Sequence, residues 1–420
     1  MVMPGDSLHK IARRYFSLTE AVTIGDLINE IKEINGIEGT IIRPKQRLRI
    51  PLSRTTPVEA STVPKDKDFE SRGIYINRYS MGSQKLRRLV DDVLSPSGNT
   101  VILDGKDMLG RLSFPSEVGL AREIGASRDP VTPDPQKLIH YLHEKGIHVG
   151  ARLVAFFDPV LAKERPDLAL LSKNSGRPLK EYGKVGWVDP ANPVVQKYNL
   201  DIAKELASVG VDEIQFDYIR YPTSEIIQEP EDALRHEVIT RFLAEARQAL
   251  APSKVLISID IFGIMAWGRP EDVQMTGQKL EDLAQYCDII SPMIYPSHFS
   301  RPFQGIADPG NRPYFMVSEA CRRFSEFTKD APVSLRPWIQ AFPYGVDRFN
   351  KGYILEQLRA LKASETRGWL LWSAGNSYGA ARRALHQWHG VPPEEENLTV
   401  ELHLDDQTVQ APTMEYLGFP

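Results

Sequence analysis

The sequence predicts an α/β protein, a (β/α)8 TIM barrel preceded by a small α+β module. Between Gly73 and Trp372 eight short apolar runs alternate with amphipathic helical stretches, the pattern of parallel strands joined by crossover helices. Eight is the number that closes such a barrel, and a span of about 300 residues leaves room for longer loops than the ~250 residues of a typical one. No GxGxxG follows the first run, which disfavours the alternative of an open doubly wound sheet.

The 420 residues suit one large α/β domain plus a small one. With 42% hydrophobic and 25% charged residues the composition is that of a soluble globular chain, and no apolar run approaches the ~18 residues of a membrane span. A net charge of -4 argues against a nucleic-acid partner. Cys287 and Cys321 have no CxxC spacing and cannot form a metal site alone. Buried thiols are expected, a single disulfide being the alternative for an exported chain.

The chain opens on MPGDSLHKIARRYF, in which Asp6 or Ser7 can cap a helix that aligns Leu8, Ile11, Ala12 and Tyr15 on one face. TIGDLINEIKEING gives a second helix ending at Asn35-Gly36, and IIRPKQRLRIP predicts a short strand containing Leu48 and Ile50. This module, residues 1–53, resembles LysM, whose pattern of PGDSL, IA..Y, an Asn near the second helix end and I.P.Q.L.IP runs from Pro4 to Pro51. Lys45 stands where the family usually has Gly; the family's opening strand is missing, so a chain trimmed or started late at its N-terminus is expected. The resemblance implies binding to N-acetylglucosamine polymers such as peptidoglycan or chitin. Residues 1–54 hold nine Lys and Arg against six Asp and Glu, a net of +3 that leaves -7 for the remainder. That excess could favour an anionic cell wall or be ordinary surface charge. The run SRTTPVEASTVPKDKDFE, with Pro, Ser and Thr but no apolar period, reads as a linker over 54–70.

The eight barrel runs are GIYIN from Gly73, TVILD from Thr100, HVGARLVAFF from His148, VDEIQFD from Val211, VLISID from Val255, DIISPMIY from Asp288, RPWIQAF from Arg336 and GWLLW from Gly368. Chemistry in these barrels sits at the C-terminal strand ends, so the residues closing each run are the candidates. The first four runs offer Asn77 and Arg78, Asp104 and Lys106, Phe157 and Asp158, then Asp217 with Arg220 and Tyr221. The last four offer Asp260 with Phe262, Tyr295 and His298, Trp338 with Gln340 and Phe342, and Trp372 with Asn376. Flat aromatic faces and forked hydrogen-bonding groups suit a sugar ring, with its apolar C–H faces and equatorial hydroxyls. Substrate contacts are therefore expected from Asp104, Lys106, Phe157, Arg220, Tyr221, Tyr295, His298, Trp338, Gln340, Trp372 and Asn376. No Gly-rich run with Lys follows the seventh or eighth strand, so no phosphate cradle and no cofactor is expected.

In DEIQFD the alternation turns Ile214 and Phe216 toward the helices and Gln215 and Asp217 toward the barrel axis. In LISID it turns Ile257 and Ile259 outward and Ser258 and Asp260 inward. Neighbouring strands lie ~4.8 Å apart, so two mouth carboxylates on adjacent strands can approach the ~5–5.5 Å used by retaining glycosidases. The plain alternative for either acid is a helix cap or an ion pair, for Asp217 with Arg220. As a catalytic pair the two need opposite states: Asp217 ionised, helped by Arg220 or Lys106, and Asp260 protonated beside Phe262 and Trp267. Asp104 and Asp158 fit turn or substrate-orienting roles.

EIQFDYIRYP, SIDIFG, SPMIYPSH, RPWIQAF and GWLLWSAGNSY, spread from Gly73 to about Tyr378, together resemble a bacterial family of glycoside-hydrolase-like barrels described largely as a domain of unknown function. That family is distantly related to the amylase and α-galactosidase barrels. The resemblance implies a nucleophilic acid on the fourth strand, which falls on Asp217, and a general acid on a following strand, which falls on Asp260. DEIQFDYIRYP also looks like the chitinase motif DGIDLDWEYP, but Ile219 stands where those enzymes need Glu and Gln215 replaces the middle Asp, so substrate-assisted chitinase chemistry is not expected.

His140 and His143 form an HxxH pair, but KLIHYLHEKG leads into the third run and belongs to the outer helical layer, where a solvated helix face is expected. No GxSxG elbow appears, which argues against an esterase. The expected architecture is a LysM-like module at 1–53, a linker at 54–70, a barrel at 71–390 and an extension at 391–420 whose ENLTVELHLDDQTVQAP alternates like added strands. The expected function is hydrolysis of a cell-envelope or extracellular polysaccharide, with a peptidoglycan-like glycan as partner. A catalytically silent glycan-binding barrel anchored by LysM is the alternative, and a metal-dependent deacetylase lacks a visible His/Asp cluster. Location at the envelope, outside the cytoplasm, is expected from the LysM resemblance, although MVMPGDSL shows no signal peptide.

Overall fold

A computed structural model describes residues 1–59, 65–94, 98–181, 183–223 and 227–388. Ser7 caps the first helix, α1 (Leu8–Tyr15), by accepting from the Lys10 amide at 3.2 Å. The second, α2 (Ile24–Ile34), opens on a reciprocal capping box between Thr23 and Asp26. Their apolar faces meet through Leu8, Ile11, Ala12, Leu27 and Ile31, with Leu48 and Ile50 packed at the edge. The strand expected at Leu48 and Ile50 is not formed. The apolar alternation is used for packing, but the backbone there meets a side chain instead of a ladder. Asn35 donates to the Arg49 carbonyl and accepts from the Arg49 amide, each at 2.8 Å. Lys45 has φ +70°, the left-handed region that favours glycine, which explains the family's preference at that turn.

The barrel strands are β1 (Ser71–Ile76), β2 (Thr100–Lys106), β3 (His148–Val154), β4 (Glu213–Asp217), β5 (Leu256–Phe262), β6 (Ile289–Ile294), β7 (split into Ser334–Leu335 and Trp338–Gln340) and β8 (Gly368–Trp372). They pair in parallel in that order, and β8 returns onto β1 with Gly368 level with Ser71, closing the barrel. The break in β7 falls at Arg336-Pro337, where proline has no N–H to give a ladder. β3 ends at Val154, earlier than the apolar run suggested, so Phe157 sits on the following loop.

Outward side chains such as Ile214, Phe216, Ile257 and Ile259 join the main core under the surrounding helices, Phe216 meeting Phe242 of helix Arg235–Leu250 edge to face at 5.5 Å. A second apolar cluster of Tyr75, Ile102, Tyr295, Trp338, Phe342 and Leu370 fills the bore. At the base Glu213 and Arg336, both fully buried, pair at 2.6 Å, and His148 meets Glu213 at 2.9 Å. Burial alone would raise the Glu213 carboxyl, but Arg336 and His148 hold it down to about 2. Phe69 covers this base, 4.7 Å from the His148 ring and 4.7 Å from the Arg336 guanidinium, while Asp68 accepts from the Ser334 hydroxyl. The last residues of the expected linker therefore pack on the barrel.

The N-terminal module packs beside the segments that follow β1 and β2. Lys137, in the first turn of helix Pro135–Glu144, is buried and donates to the Phe16 carbonyl at 2.7 Å and to Thr19 Oγ1 at 3.3 Å. Its ammonium lies 3.9 Å from the Phe16 ring centroid, and burial lowers its pKa to about 8. Arg87 pairs with Asp26 at 3.1 Å, Arg13 donates to the Pro130 carbonyl, and Val22 joins the barrel core. Lys137→Ala should weaken this docking by about 1–3 kcal/mol, the cost of losing a buried charged donor. Hydrogen exchange reads it as lost amide protection over residues 16–19; unchanged protection would count against a docked module.

Cys287 and Cys321 are buried free thiols, and burial pushes the Cys321 thiol up to about 12. Among the described residues no helix is long and apolar enough to cross a membrane. The strands expected in 391–420 lie outside the described residues.

Candidate active site

β4 and β5 pair with Phe216 level with Ile259, so the next residues, Asp217 and Asp260, stand level on neighbouring strands. That spacing is about 4.8 Å between strands. Gln215, one inward step below Asp217, reaches Ser291 Oγ at 3.4 Å across the bore, which fixes the inward parity of β4. Asp217 is 4% exposed and Asp260 2%, at the C-terminal mouth in both cases.

The two carboxyls have different surroundings. Asp217 Oδ2 accepts from Arg152 Nε at 2.8 Å and Nη2 at 2.6 Å, and its Oδ1 accepts from the Tyr218 amide at 2.7 Å. Tyr218 has φ +51°, a strained backbone that turns its N–H back onto the acid beside it. Asp260 Oδ1 accepts from Trp338 Nε1 at 2.8 Å. Burial first, then the neighbouring charge of Asp217, raise the Asp260 carboxyl well above the usual carboxylate range, against the pull of Arg152 and Trp338.

Arg152 has a second partner, Asp104 Oδ1 at 2.8 Å through Nη1. Asp104 Oδ2 in turn accepts from the Tyr75 hydroxyl at 2.7 Å and the Arg78 amide at 3.2 Å. Burial raises the Asp104 carboxyl, opposed by Arg152 and Tyr75. Tyr75 stacks on Trp372 at 4.2 Å, and the Arg152 guanidinium lies 5.1 Å from the Trp372 ring. One guanidinium thus holds the acids of two strands in a fork suited to paired carboxylates.

The expected contact residues divide. Asp104, Trp338, Trp372 and Tyr295 face the bore around the two acids, and Phe157 lies tilted beside Tyr218 with 5.4 Å between ring centroids. His298 lies between Tyr295 and Phe342, at 5.2 and 5.5 Å, and burial lowers its pKa to about 4, so the ring is neutral at pH 7. Arg220 stands beside Tyr218 and Phe262, in reach of the mouth, but it is Arg152 that contacts Asp217.

Five residues are placed otherwise than expected. Lys106 does not face the mouth: a bulge between Asp104 and Lys106 reverses the alternation, and its ammonium binds Asp158 at 2.9 Å and Asn199 at 2.7 Å, fully buried. Asp158 also caps the helix Pro159–Glu164, the turn role expected of it. Tyr221 is fully buried, covered by Arg235, and presents no face to a ligand. Gln340 and Asn376 spend their amides on backbone: Gln340 holds the Phe342 and Tyr344 carbonyls and the Ser297 amide, and Asn376 holds the Tyr75 and Ser373 carbonyls and the Asn77 amide. They shape the mouth without lining it. Trp267 packs on Phe299 and Phe303, away from Asp260.

His143, expected on a solvated helix face, is half-buried and meets Asp212 at 2.8 Å. Arg152, Tyr75 and Trp187 were not anticipated. Arg152 was legible as an inward charge in HVGARLV, at the same parity as Gly150 and Val154, once the strand is ended at Val154. Trp187 lies outside the strand runs, on a loop whose bridges from Trp187 to Phe157 and from Val188 to Ala169 hold its ring beside those of Phe157 and Tyr218.

Fold and site together define a closed (β/α)8 barrel with an acidic, aromatic-walled mouth. The chain belongs to the family described as "Putative glycosyl hydrolase domain", matched over residues 73–378, and carries a LysM domain matched over residues 1–51. A comparison with curated protein sequences gives no match. Among solved structures it is 36% identical to a hypothetical protein from Ruminiclostridium thermocellum over 44% of this chain and 96% of that one, with a TM-score of 0.41. The PgaB (BpsB) glycoside hydrolase domain from Bordetella bronchiseptica is similar at a TM-score of 0.55 and 13% identity, covering 75% of this chain and 98% of that one. The α-galactosidase TtGalA from Thermus thermophilus, in complex with stachyose, is similar at 0.50 and 15%, covering 80% and 67%. At these identities the last two speak for the fold.

Proposed function

We propose that the barrel is a retaining glycoside hydrolase acting on a cell-envelope or extracellular polysaccharide, with Asp217 as nucleophile and Asp260 as general acid and base. The observation that supports this most is the level placement of two mouth carboxyls in opposite environments, one ion-paired to Arg152 and one whose pKa burial and the neighbouring charge of Asp217 raise. The spacing of adjacent strands suits the ~5–5.5 Å of a retaining pair better than the ~6.5–9.5 Å of an inverting one. Asp217 attacks the anomeric carbon as Asp260 gives its proton to the departing glycosidic oxygen. Asp260, now ionised, takes a proton from the water that releases the sugar and regenerates both acids. Trp338 steadies Asp260 through one oxygen, which leaves the other for the proton. The LysM domain suggests peptidoglycan binding and association with the cell envelope, and hence a glycan containing N-acetylglucosamine.

A screen of peptidoglycan, chitin and exopolysaccharide fragments with the full chain and Asp217→Asn tests the reading. Turnover is expected in the wild type and a loss on the order of 10^4-fold in the variant. Undiminished turnover by Asp217→Asn removes the nucleophile assignment. Binding without turnover in the wild type makes the barrel a glycan-holding domain.

A further inference from the structure

Arg220 is a buried cation whose charge the proposed chemistry does not use. It is 5% exposed, and its guanidinium carbon lies 4.2 Å from the Phe262 ring centroid, 4.9 Å from Trp187 and 5.0 Å from Tyr218. Among the described residues it makes one hydrogen bond, from Nη1 to the Tyr221 carbonyl at 2.8 Å, and contacts no carboxylate. Asp217 and Glu181 act on it from a distance, and each has a closer partner: Arg152 on Asp217, and Trp187 Nε1 on Glu181 at 2.7 Å. Burial accordingly lowers the pKa of Arg220 below that of an ordinary guanidinium.

Holding a guanidinium among three rings with one protein hydrogen bond sacrifices part of its hydration, which a bound anion would offset. The rings that hold it fix its position relative to the reaction. Tyr218 follows Asp217 directly, and Phe262 lies two residues beyond Asp260 on the same strand. Arg152 already answers Asp217 and Asp104, so a second cation here is not needed for the protein's own acids. Its planar fork matches a carboxylate in a way an ammonium does not.

We propose that Arg220 binds a carboxylate carried by the substrate beside the scissile bond, so that the natural glycan is acidic, bearing a uronate or an ether-linked carboxylate. This rests on the reading of the mouth as a glycan site and goes further by naming the substrate class.

The test pairs glycans that differ in charge alone: uronate-containing oligosaccharides against their carboxyl-reduced forms, and muramate-containing fragments against their carboxyl-reduced forms. The full chain, Arg220→Gln and Arg220→Lys are compared by kcat and KM. Wild type should favour the acidic member of at least one pair by about 10- to 100-fold in kcat/KM, the worth of a charge-assisted hydrogen bond. Arg220→Gln should cancel that preference mainly through KM, and Arg220→Lys, which keeps the charge without the fork, should restore part of it. No preference in either pair, or equal losses on both members, overturns the proposal. Equilibrium binding of the same pairs, to wild type and Arg220→Gln with the LysM domain present in both, separates this idea from the hydrolase reading. An acidic preference in binding that Arg220→Gln abolishes supports the anion site even if no glycan is cleaved. Equal binding of both members overturns it even if cleavage is found.

Discussion

Arg152→Met should destabilise the barrel by about 3–5 kcal/mol, because it strands two buried carboxylates that now share one cation. Asp217 and Asp104 are 4% and 3% exposed, and each takes a contact of 2.8 Å or less from the same guanidinium. Asp104 keeps the Tyr75 hydroxyl and the Arg78 amide, and Asp217 keeps the Tyr218 amide, but these neutral donors do not balance a charge. Arg152→Lys should rescue little of the loss: a single ammonium does not span β2 and β4 as the fork does. Adding Asp104→Asn and Asp217→Asn to Arg152→Met should recover much of it, since the cost comes from unpaired charge and not from lost packing. Denaturant midpoints at constant slope measure this. A change under about 1 kcal/mol for Arg152→Met, or no recovery in the triple variant, would mean that the fork is not what stabilises the mouth.

The eight strands and the inward parity of Asp217 and Asp260 were legible because period-two alternation and barrel closure are local rules applied to long apolar runs. What was not legible depended on single-residue shifts. One extra residue between Asp104 and Lys106 turned the lysine from mouth to helix layer, and no pattern in TVILDGK announces that bulge. The run HVGARLVAFF looks like one strand of ten residues, yet the strand ends at Val154, and its inward Arg152 stands level with Gln215, two residues short of the Asp217 it reaches. Trp187 and Lys137 could not be found from spacing at all. The first is brought to the mouth by a long loop, and the second acquires its role from a surface supplied by a different domain. Gln340 and Asn376 show a further limit: an amide at a strand end fits a sugar and a loop carbonyl equally well, and composition does not choose between them.

Asp260→Asn should abolish turnover of unactivated glycans while making the fold more stable. The general acid contributes about 10^2- to 10^4-fold, so a loss of that size is expected with natural leaving groups and a much smaller one with an aryl glycoside, whose oxygen departs without a proton. Stability moves the other way. Asparagine keeps an oxygen for Trp338 Nε1 and puts a neutral group where burial and Asp217 both oppose a charge. The sign with pH follows from linkage. The Asp260 pKa is raised on folding, so its contribution to stability is fully present below the unfolded carboxyl value of about 3.9 and is lost as pH rises through the native one. Wild type and Asp260→Asn should therefore melt close together in acid, and the variant's advantage should grow as pH rises toward neutrality, then level off. Melting temperatures of the two proteins from pH 4 to 8 measure the difference directly. An advantage that shrinks with pH would show an ionised Asp260 in the native state and leave the mouth without a proton donor at this position, whereas a growing one with rescue by the aryl glycoside ties the same buried proton to both the stability and the reaction.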